Sequence, residues 1–303
     1  MSLSPVILFV YNRPEHTQKT LEALQKNYLS NQTDLYIFCD GTKNGASREQ
    51  IEKIEQTRRI VHSKKWCADI HIKESAENKG LAASIIGGVS QVMEKHKRAI
   101  ILEDDIITGK YFLTYMNKAL ELYKNSSKVW HINAWTNPVK AQSPGSAFFY
   151  PVMECWGWAT WADRWQYYKK DCEYYCTAFS RKDIYHFNSE GTENRWKQIL
   201  RNRSGKIDTW AIFWAATIFE HGGLCLAPQK TLVRNEGLDS SGENCYSSPL
   251  QIVRDSIDYE ITSFPEKIAV NDYMYDQLKK FFRRKNLITP GRIYRKVKSI
   301  LKK

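Results

Sequence analysis

The chain has no C-x-x-C pair. Its seven cysteines, at 39, 67, 155, 172, 176, 225 and 245, are scattered and odd in number. That pattern supplies neither a disulfide framework nor a cysteine-based zinc site, and it fits reduced thiols in a cytoplasmic protein. No apolar run approaches the roughly 18 residues that a membrane span needs. The first apolar run, Pro5 to Tyr11, is too short and too early for a secretory signal. No internal repeat and no low-complexity linker interrupts the chain. Acidic residues are missing from Lys279 to Lys303, where eleven Lys or Arg stand alone. Of the net charge of +12, those eleven leave +1 for the rest. Arguments about charged partners therefore apply to the C-terminal segment and not to the body.

What is present reads as one large α/β unit. Hydrophobic residues make up 42% and charged residues 26% of 303 residues, a balance that buries a sizeable core and argues against disorder. Residues 5–11 form a continuous apolar run, the pattern of a strand covered on both faces. Asn12-Arg13-Pro14 breaks it, and Thr17, Leu21 and Leu24 then recur at helical spacing. Leu35 to Cys39 is a second buried strand ending in Asp40-Gly41. Ser47 and Gln50 form a capping box for a helix that runs to about His62. Asp69 to Lys73 alternates as a third strand, followed by the loop Asn78-Lys79-Gly80. Leu81, Ile85, Val89 and Val92 mark another helix, and Ala99 to Leu102 is a fourth buried strand ending in Glu103-Asp104-Asp105.

Strand alternating with helix four times predicts a mostly parallel sheet flanked by helices. Ligands bind such sheets at the carboxyl ends of the strands. Four polar clusters fall at those ends: Asn12-Arg13, Asp40-Gly41, Asn78-Lys79-Gly80 and Glu103-Asp104-Asp105. Three adjacent carboxylates repel one another and call for compensation by a cation or by backbone donors. Mg2+ or Mn2+ suits carboxylate and phosphate oxygens together. An acid-rich helix N-terminus is the plainer explanation of the same cluster.

The ordered set Tyr11-Asn12-Arg13-Pro14, Cys39-Asp40-Gly41 and Ile101-Leu102-Glu103-Asp104-Asp105 resembles a GT-A fold glycosyltransferase. It resembles N-acetylglucosaminyltransferase I and bacterial relatives that build surface polysaccharides. The resemblance continues through Cys155-Trp156-Gly157-Trp158-Ala159-Thr160-Trp161, Ile207-Asp208-Thr209-Trp210, Gly223 to Pro228 and Val233-Arg234, covering roughly residues 5 to 240. It implies a Rossmann-like domain that transfers a sugar from a nucleoside-diphosphate donor, UDP-linked, to a glycan or lipid-linked glycan, with inversion. Asp40 would accept from a ring N–H of uracil. Glu103 and Asp104 would face the ribose and the transferred sugar, and Asp105 would bind the metal directly. Asp208 would be the general base. The family has two adjacent acids there and uses the second, whereas Thr209 stands at that position here. Glu154 and Asp163 are the alternatives.

Among weaker features, Arg13 faces the diphosphate or the base, or is held at the surface by Pro14. Lys79-Gly80 approaches the nucleotide or is a plain turn. Trp156, Trp158 and Trp161 stack on sugars or fill the core. The expected organisation is a GT-A domain over 1–265, with a nucleotide-sugar half (1–108) and a smaller acceptor half (109–265), then a basic segment over 266–303. Thr289-Pro290 reads as a helix start, with Ile293, Val297, Ile300 and Leu301 on one face. That is a basic amphipathic helix suited to an anionic membrane surface, which places the protein at the inner face of the plasma membrane. Nucleic acid is a lesser partner. A sugar-1-phosphate nucleotidyltransferase or a dehydrogenase would carry a glycine-rich loop after the first strand, which is absent. A non-catalytic glycan-binding module is the other reading, favoured by Thr209.

Overall fold

The computed structural model describes residues 3–143, 145–239 and 256–286. In chain order the strands are β1 (Val6–Val10), β2 (Leu35–Cys39), β3 (Ile70–Glu74), β4 (Arg98–Glu103), β5 (Ile106–Thr108), β6 (Val129–Asn133), β7 (Ala147–Tyr150), β8 (Trp158–Trp161), β9 (Leu224–Pro228) and β10 (Val233–Asn235). The helices are α1 (Pro14–Gln25), α2 (Arg48–His62), α3 (Leu81–His96), α4 (Phe112–Leu122), α5 (Ala162–Trp165), α6 (Cys172–Ala178), α7 (Arg181–Phe187), α8 (Trp196–Arg203), α9 (Ala211–Glu220) and α10 (Asp272–Asn286).

Eight strands form one sheet in the order β3-β2-β1-β4-β8-β6-β9-β7. Strands β1 to β4 are parallel, as the repeated strand–helix pattern predicts. Strand β8 enters antiparallel between β4 and β6, and β9 runs parallel to β6. Six of the eight strands thus point the same way, with β8 and β7 reversed. The carboxyl ends of β1, β2, β3, β4, β6 and β9 share one rim.

Alternation along the strands feeds two cores. Val6, Leu8 and Val10 of β1 and Ile100 and Leu102 of β4 face α1, α2 and α4. Ile7, Phe9, Ala99 and Ile101 face α3, in a second core that α9 and α10 complete further along the sheet. By the same period of two, Glu103 falls on the α3 side of the sheet. The capping box of α2 is present, with Ser47 and Gln50 exchanging both hydrogen bonds.

One open alternative is decided and one expectation changes. Trp158 to Trp161 is a central strand, and Trp158 and Trp161 are core residues, while Trp156 is half-buried. The basic segment read as a tail from 266 enters the body first: Met274, Tyr275, Leu278 and Phe282 of α10 are buried in the second core. The helix expected from Thr289 onward lies outside the described residues.

Candidate functional site

The first four strands end together, so their polar loops meet. A cleft of about 310 Å³ opens at that rim, between β1, β2, β4 and the start of α3. This size falls in the range of small-molecule sites. Asn12, Arg13, Asp40, Gly80, Glu103, Asp104 and Asp105 line it together, beside the stacked rings of Phe9 and Phe38. A larger open groove of about 1040 Å³ runs between α1 and α2 and shares Asn12 and Arg13. It holds none of the three acids, so the smaller cleft carries the chemistry.

Arg13 organises the acids. Its guanidinium pairs with Asp104, and its Nη2 donates to Asp105 Oδ2 at 2.8 Å. Both carboxylates are almost completely buried. Burial alone would lower the Arg13 pKa, but the two carboxylates outweigh it and raise it. Asp104 is pushed up to about 6 by burial, against the pull of Arg13. Glu103, half-buried and without such a partner, is pushed up to about 8 by burial and by the charges of Asp105 and Asp104. A second donor of Arg13, Nη1, is buried with no partner among the described residues. Arg13 also lines the cleft, where its positive charge suits an anionic oxygen such as a phosphate.

Asp105 is held from behind. Strand β10 pairs antiparallel with β5, and Glu236 N–H donates to Asp105 O at 2.9 Å. The chain then presses Gly237 on the carboxylate: a Cβ at this position would lie 2.1 Å from Asp105 Oδ2 and 2.9 Å from Arg13 Nη1. Asp239 follows and pairs with His16 at 3.2 Å. This strap over the acids was not foreseen from the sequence. Its signal is the glycine that follows the short run Val233-Arg234-Asn235.

Asp40 is engaged by the loops around it. Its carboxylate accepts from Gly41 N–H (2.9 Å), Lys79 N–H (2.9 Å), Gly80 N–H (3.0 Å) and Asn78 Nδ2 (3.1 Å). Four donors fill the acceptor capacity of a carboxylate, leaving no lone pair free for a nucleobase N–H. Asp40 is the clamp that joins the loops after β2 and β3. Gly41 allows that junction, since a Cβ there would meet the Glu77 backbone at 2.3 Å. The side chain of Lys79 is exposed and borders a separate small recess, while its backbone N–H serves the clamp.

The donor set suits a hard divalent ion in one form only. Among the described residues no group of three His, Cys, Asp or Glu could hold a metal. Asp105, with Asp104 beside it, offers carboxylate oxygens that fit Mn2+ or Mg2+ when diphosphate oxygens complete the shell.

The acceptor-side candidates separate by position. Asp208 lies just before α9, whose N-terminus points to the carboxyl rim because its C-terminus turns directly into β9. Its side chain is exposed, pairs with Lys170 and does not line the cleft. Thr209 is tied to Asn202 by its N–H and its hydroxyl, both at 2.9 Å. Asp163 follows β8 at the opposite end of the sheet, where Trp161 pairs with Arg98, and it binds Arg164. Glu154 sits in the β7–β8 connection, with its N–H bonded to Asn133 at the carboxyl end of β6 (2.8 Å).

No protein-family model matches the sequence, and no curated protein is similar to it at the level of sequence. Among solved structures, the chain is similar to mannosyltransferase PcManGT from Pyrobaculum calidifontis, in complex with GDP-Man and Mn2+. That match has a TM-score of 0.40 and 10% identity, over 71% of this chain and 69% of that one. It is similar to S. aureus TarS with a TM-score of 0.30 and 14% identity, over 49% of this chain and 24% of that one. A nucleotide-diphospho-sugar transferase from Desulfovibrio desulfuricans G20, itself described as putative, gives a TM-score of 0.31 and 11% identity over 54% and 65%.

Proposed function

We propose that this chain is a glycosyltransferase. It moves a sugar from a nucleoside-diphosphate donor, UDP-linked, to a hydroxyl of a glycan or lipid-linked glycan in surface polysaccharide synthesis. The carrying observation is the convergence of Arg13, Glu103, Asp104 and Asp105 in one cleft at the carboxyl rim. Both hexosyl and N-acetylhexosaminyl donors fit this reading.

The leaving diphosphate needs its growing charge matched. Arg13 offers a fixed cation at that point, and Asp105 with Asp104 would hold Mn2+ or Mg2+. When bound, the ion supplies further positive charge to the diphosphate. Phe9 and Phe38 give the nucleobase an apolar wall. Asn12 and Gly80 border the cleft on either side, Asn12 with its side-chain amide and Gly80 with the space that a missing side chain leaves.

Direct displacement inverts the anomeric centre. The acceptor oxygen bonds to the anomeric carbon as the bond from that carbon to the diphosphate oxygen breaks. The acceptor proton passes to a carboxylate, because a sugar hydroxyl is a weak nucleophile at neutral pH. Two carboxylates at the rim, Asp208 and Glu154, are available for that proton. The basic C-terminal segment is the proposed contact with an anionic membrane at the inner face of the plasma membrane, where a lipid-linked acceptor would reside.

Titration calorimetry with UDP, with and without Mn2+, tests the donor site on the parent chain and on Asp105→Ala. Metal-dependent binding that the substitution abolishes is expected. Binding of GDP or dTDP in place of UDP would move the assignment to another base, and binding of none of the three would defeat it.

A further inference from the structure

Glu154 belongs to a polar nest that the donor cleft does not use. Strand order places β6 two strands from β4, roughly 10 Å away at the usual interstrand spacing. Ile101, Trp158 and Asn133 lie in register across β4, β8 and β6. Asn133 shares the α9 side of the sheet with His131, which accepts from Trp214 of α9. Glu103 is on that same side by alternation. Glu154, hung on Asn133, therefore faces the same side of the rim as the donor cleft, displaced toward β6.

Its backbone is fixed on both sides. The N–H goes to Asn133 Oδ1 at 2.8 Å. The carbonyl meets His131 Nε2 at 3.1 Å, and since Trp214 Nε1 donates to His131 Nδ1, the Nε2 carries the proton. Burial holds that imidazole neutral, far below its usual range. Among the described residues the carboxylate is held at Oε1, which accepts from Asn137 Nδ2 at 3.1 Å with Arg195 Nη2 at 4.0 Å, and Lys285 adds a further positive charge. Arg195 is itself committed to Glu193 at 2.7 Å.

The same two segments hold orphaned polar atoms. Asn137 is 3% exposed, and its Oδ1 has no partner among the described residues. Trp135 Nε1 and Trp158 Nε1 are likewise buried and unmatched. Buried polar groups without partners are uncommon, and Asn137 Oδ1, whose own amide nitrogen holds Glu154, marks a place where a polar ligand completes the count. The two indole nitrogens lie apart, Trp135 in the first core and Trp158 in the second, and the half-buried Trp156 packs edge-on to Trp135 at 4.5 Å on the first-core side.

We infer that Glu154 and Asn137 form the subsite for the acceptor sugar, with Glu154 as the base that takes the proton of the attacking hydroxyl. This inference rests on the transferase reading. The acceptor O–H loses its proton to the Glu154 carboxylate. Its oxygen forms the bond to the anomeric carbon of the donor, and the nucleoside diphosphate leaves with the electron pair. Asn137 Oδ1 accepts from a neighbouring hydroxyl of the same sugar. Burial pushes the Glu154 carboxyl up to about 7, against the nearby Arg195, so the group changes charge near the operating pH of a general base.

The test measures UDP release from UDP-GlcNAc, UDP-galactose and UDP-glucose with Mn2+, water serving as acceptor, alongside UDP titration. The full chain and its Glu154→Gln and Glu154→Asp variants are compared. The expected result is a loss of turnover of about 100-fold or more in Glu154→Gln, with UDP affinity within twofold of the parent. Glu154→Asp should recover part of the rate. The parent rate should fall below about pH 7, and the residual rate of Glu154→Gln should lack that limb. Turnover in Glu154→Gln within threefold of the parent overturns the assignment. So does a loss of UDP binding in step with the rate, which marks a structural role. A parent chain that binds UDP but releases none from any donor overturns the transferase reading along with it.

Discussion

At the scale of single residues, the acids at the end of β4 are held by a counter-ion from the loop after β1. Removing one partner of a buried ion pair leaves the other uncompensated, at a cost of about 3 kcal/mol or more. Arg13→Met should therefore lower the melting temperature and abolish UDP binding by calorimetry. Arg13→Lys keeps the charge but loses the fork that reaches both carboxylates, and should recover only part of each. Asp40→Ala strands three backbone N–H groups and one amide, and hydrogen bonds to a charged acceptor contribute about 1.5–3 kcal/mol each. A large drop in melting temperature is expected; a variant as stable as the parent would return Asp40 to the role of a free acceptor. Glu154 gives a pH signature. Its folded-state pKa is raised, so between the unfolded value and about 7 the native state binds the extra proton, and stability falls as pH rises through that window. Glu154→Gln, neutral throughout, should melt above the parent at pH 8, and the gap should close near pH 5.

At the scale of elements, the first half was legible because each strand is an apolar run that stops at a polar loop. Asn12, Arg13, Gly80 and the three acids were found that way, and the sheet brings them together. The roles of Asp40 and Lys79 were not legible, since a hydrogen-bond tally depends on where the neighbouring loop lies in space. In the second half, Trp158 to Trp161 is buried on both faces, so it has no alternation to read, and α6, α7 and α8 are too short to show a clear period. The β5–β10 ribbon was missed because three-residue strands carry no periodic signal. Its consequence is sharp at Gly237, where an alanine methyl would collide with Asp105. Gly237→Ala should push the carboxylate or the strap aside. We expect UDP affinity to fall at least tenfold with a change in melting of only a few degrees. Unchanged affinity would show that the strap has no part in shaping the acid site.

At the scale of the whole molecule, charge is divided. Lys280, Arg283 and Arg284 are exposed on α10, and eleven cations lie between Lys279 and Lys303 against a body of net +1. Each basic residue near an anionic surface contributes about 1 kcal/mol. Co-sedimentation with phosphatidylglycerol vesicles should be strong at low salt, weak for phosphatidylcholine, and reduced by the triple change Lys280→Glu, Arg283→Glu and Arg284→Glu. Equal binding to both vesicle types would refute a role for this charge.

Helix α10 also closes the second core, and the strand it packs on is β7, where Phe149 bridges to Val270 just ahead of the helix. All of β8, α5 to α9, β9 and β10 lie between those partners in the chain. As the polypeptide emerges from the ribosome at about 5–20 residues per second, β1 to β4 would receive α3 early, whereas the β7 edge would stay uncovered until residue 282 is available. A chaperone engaging the chain during synthesis would find the unfinished apolar face at that edge, on the α9 side of the sheet.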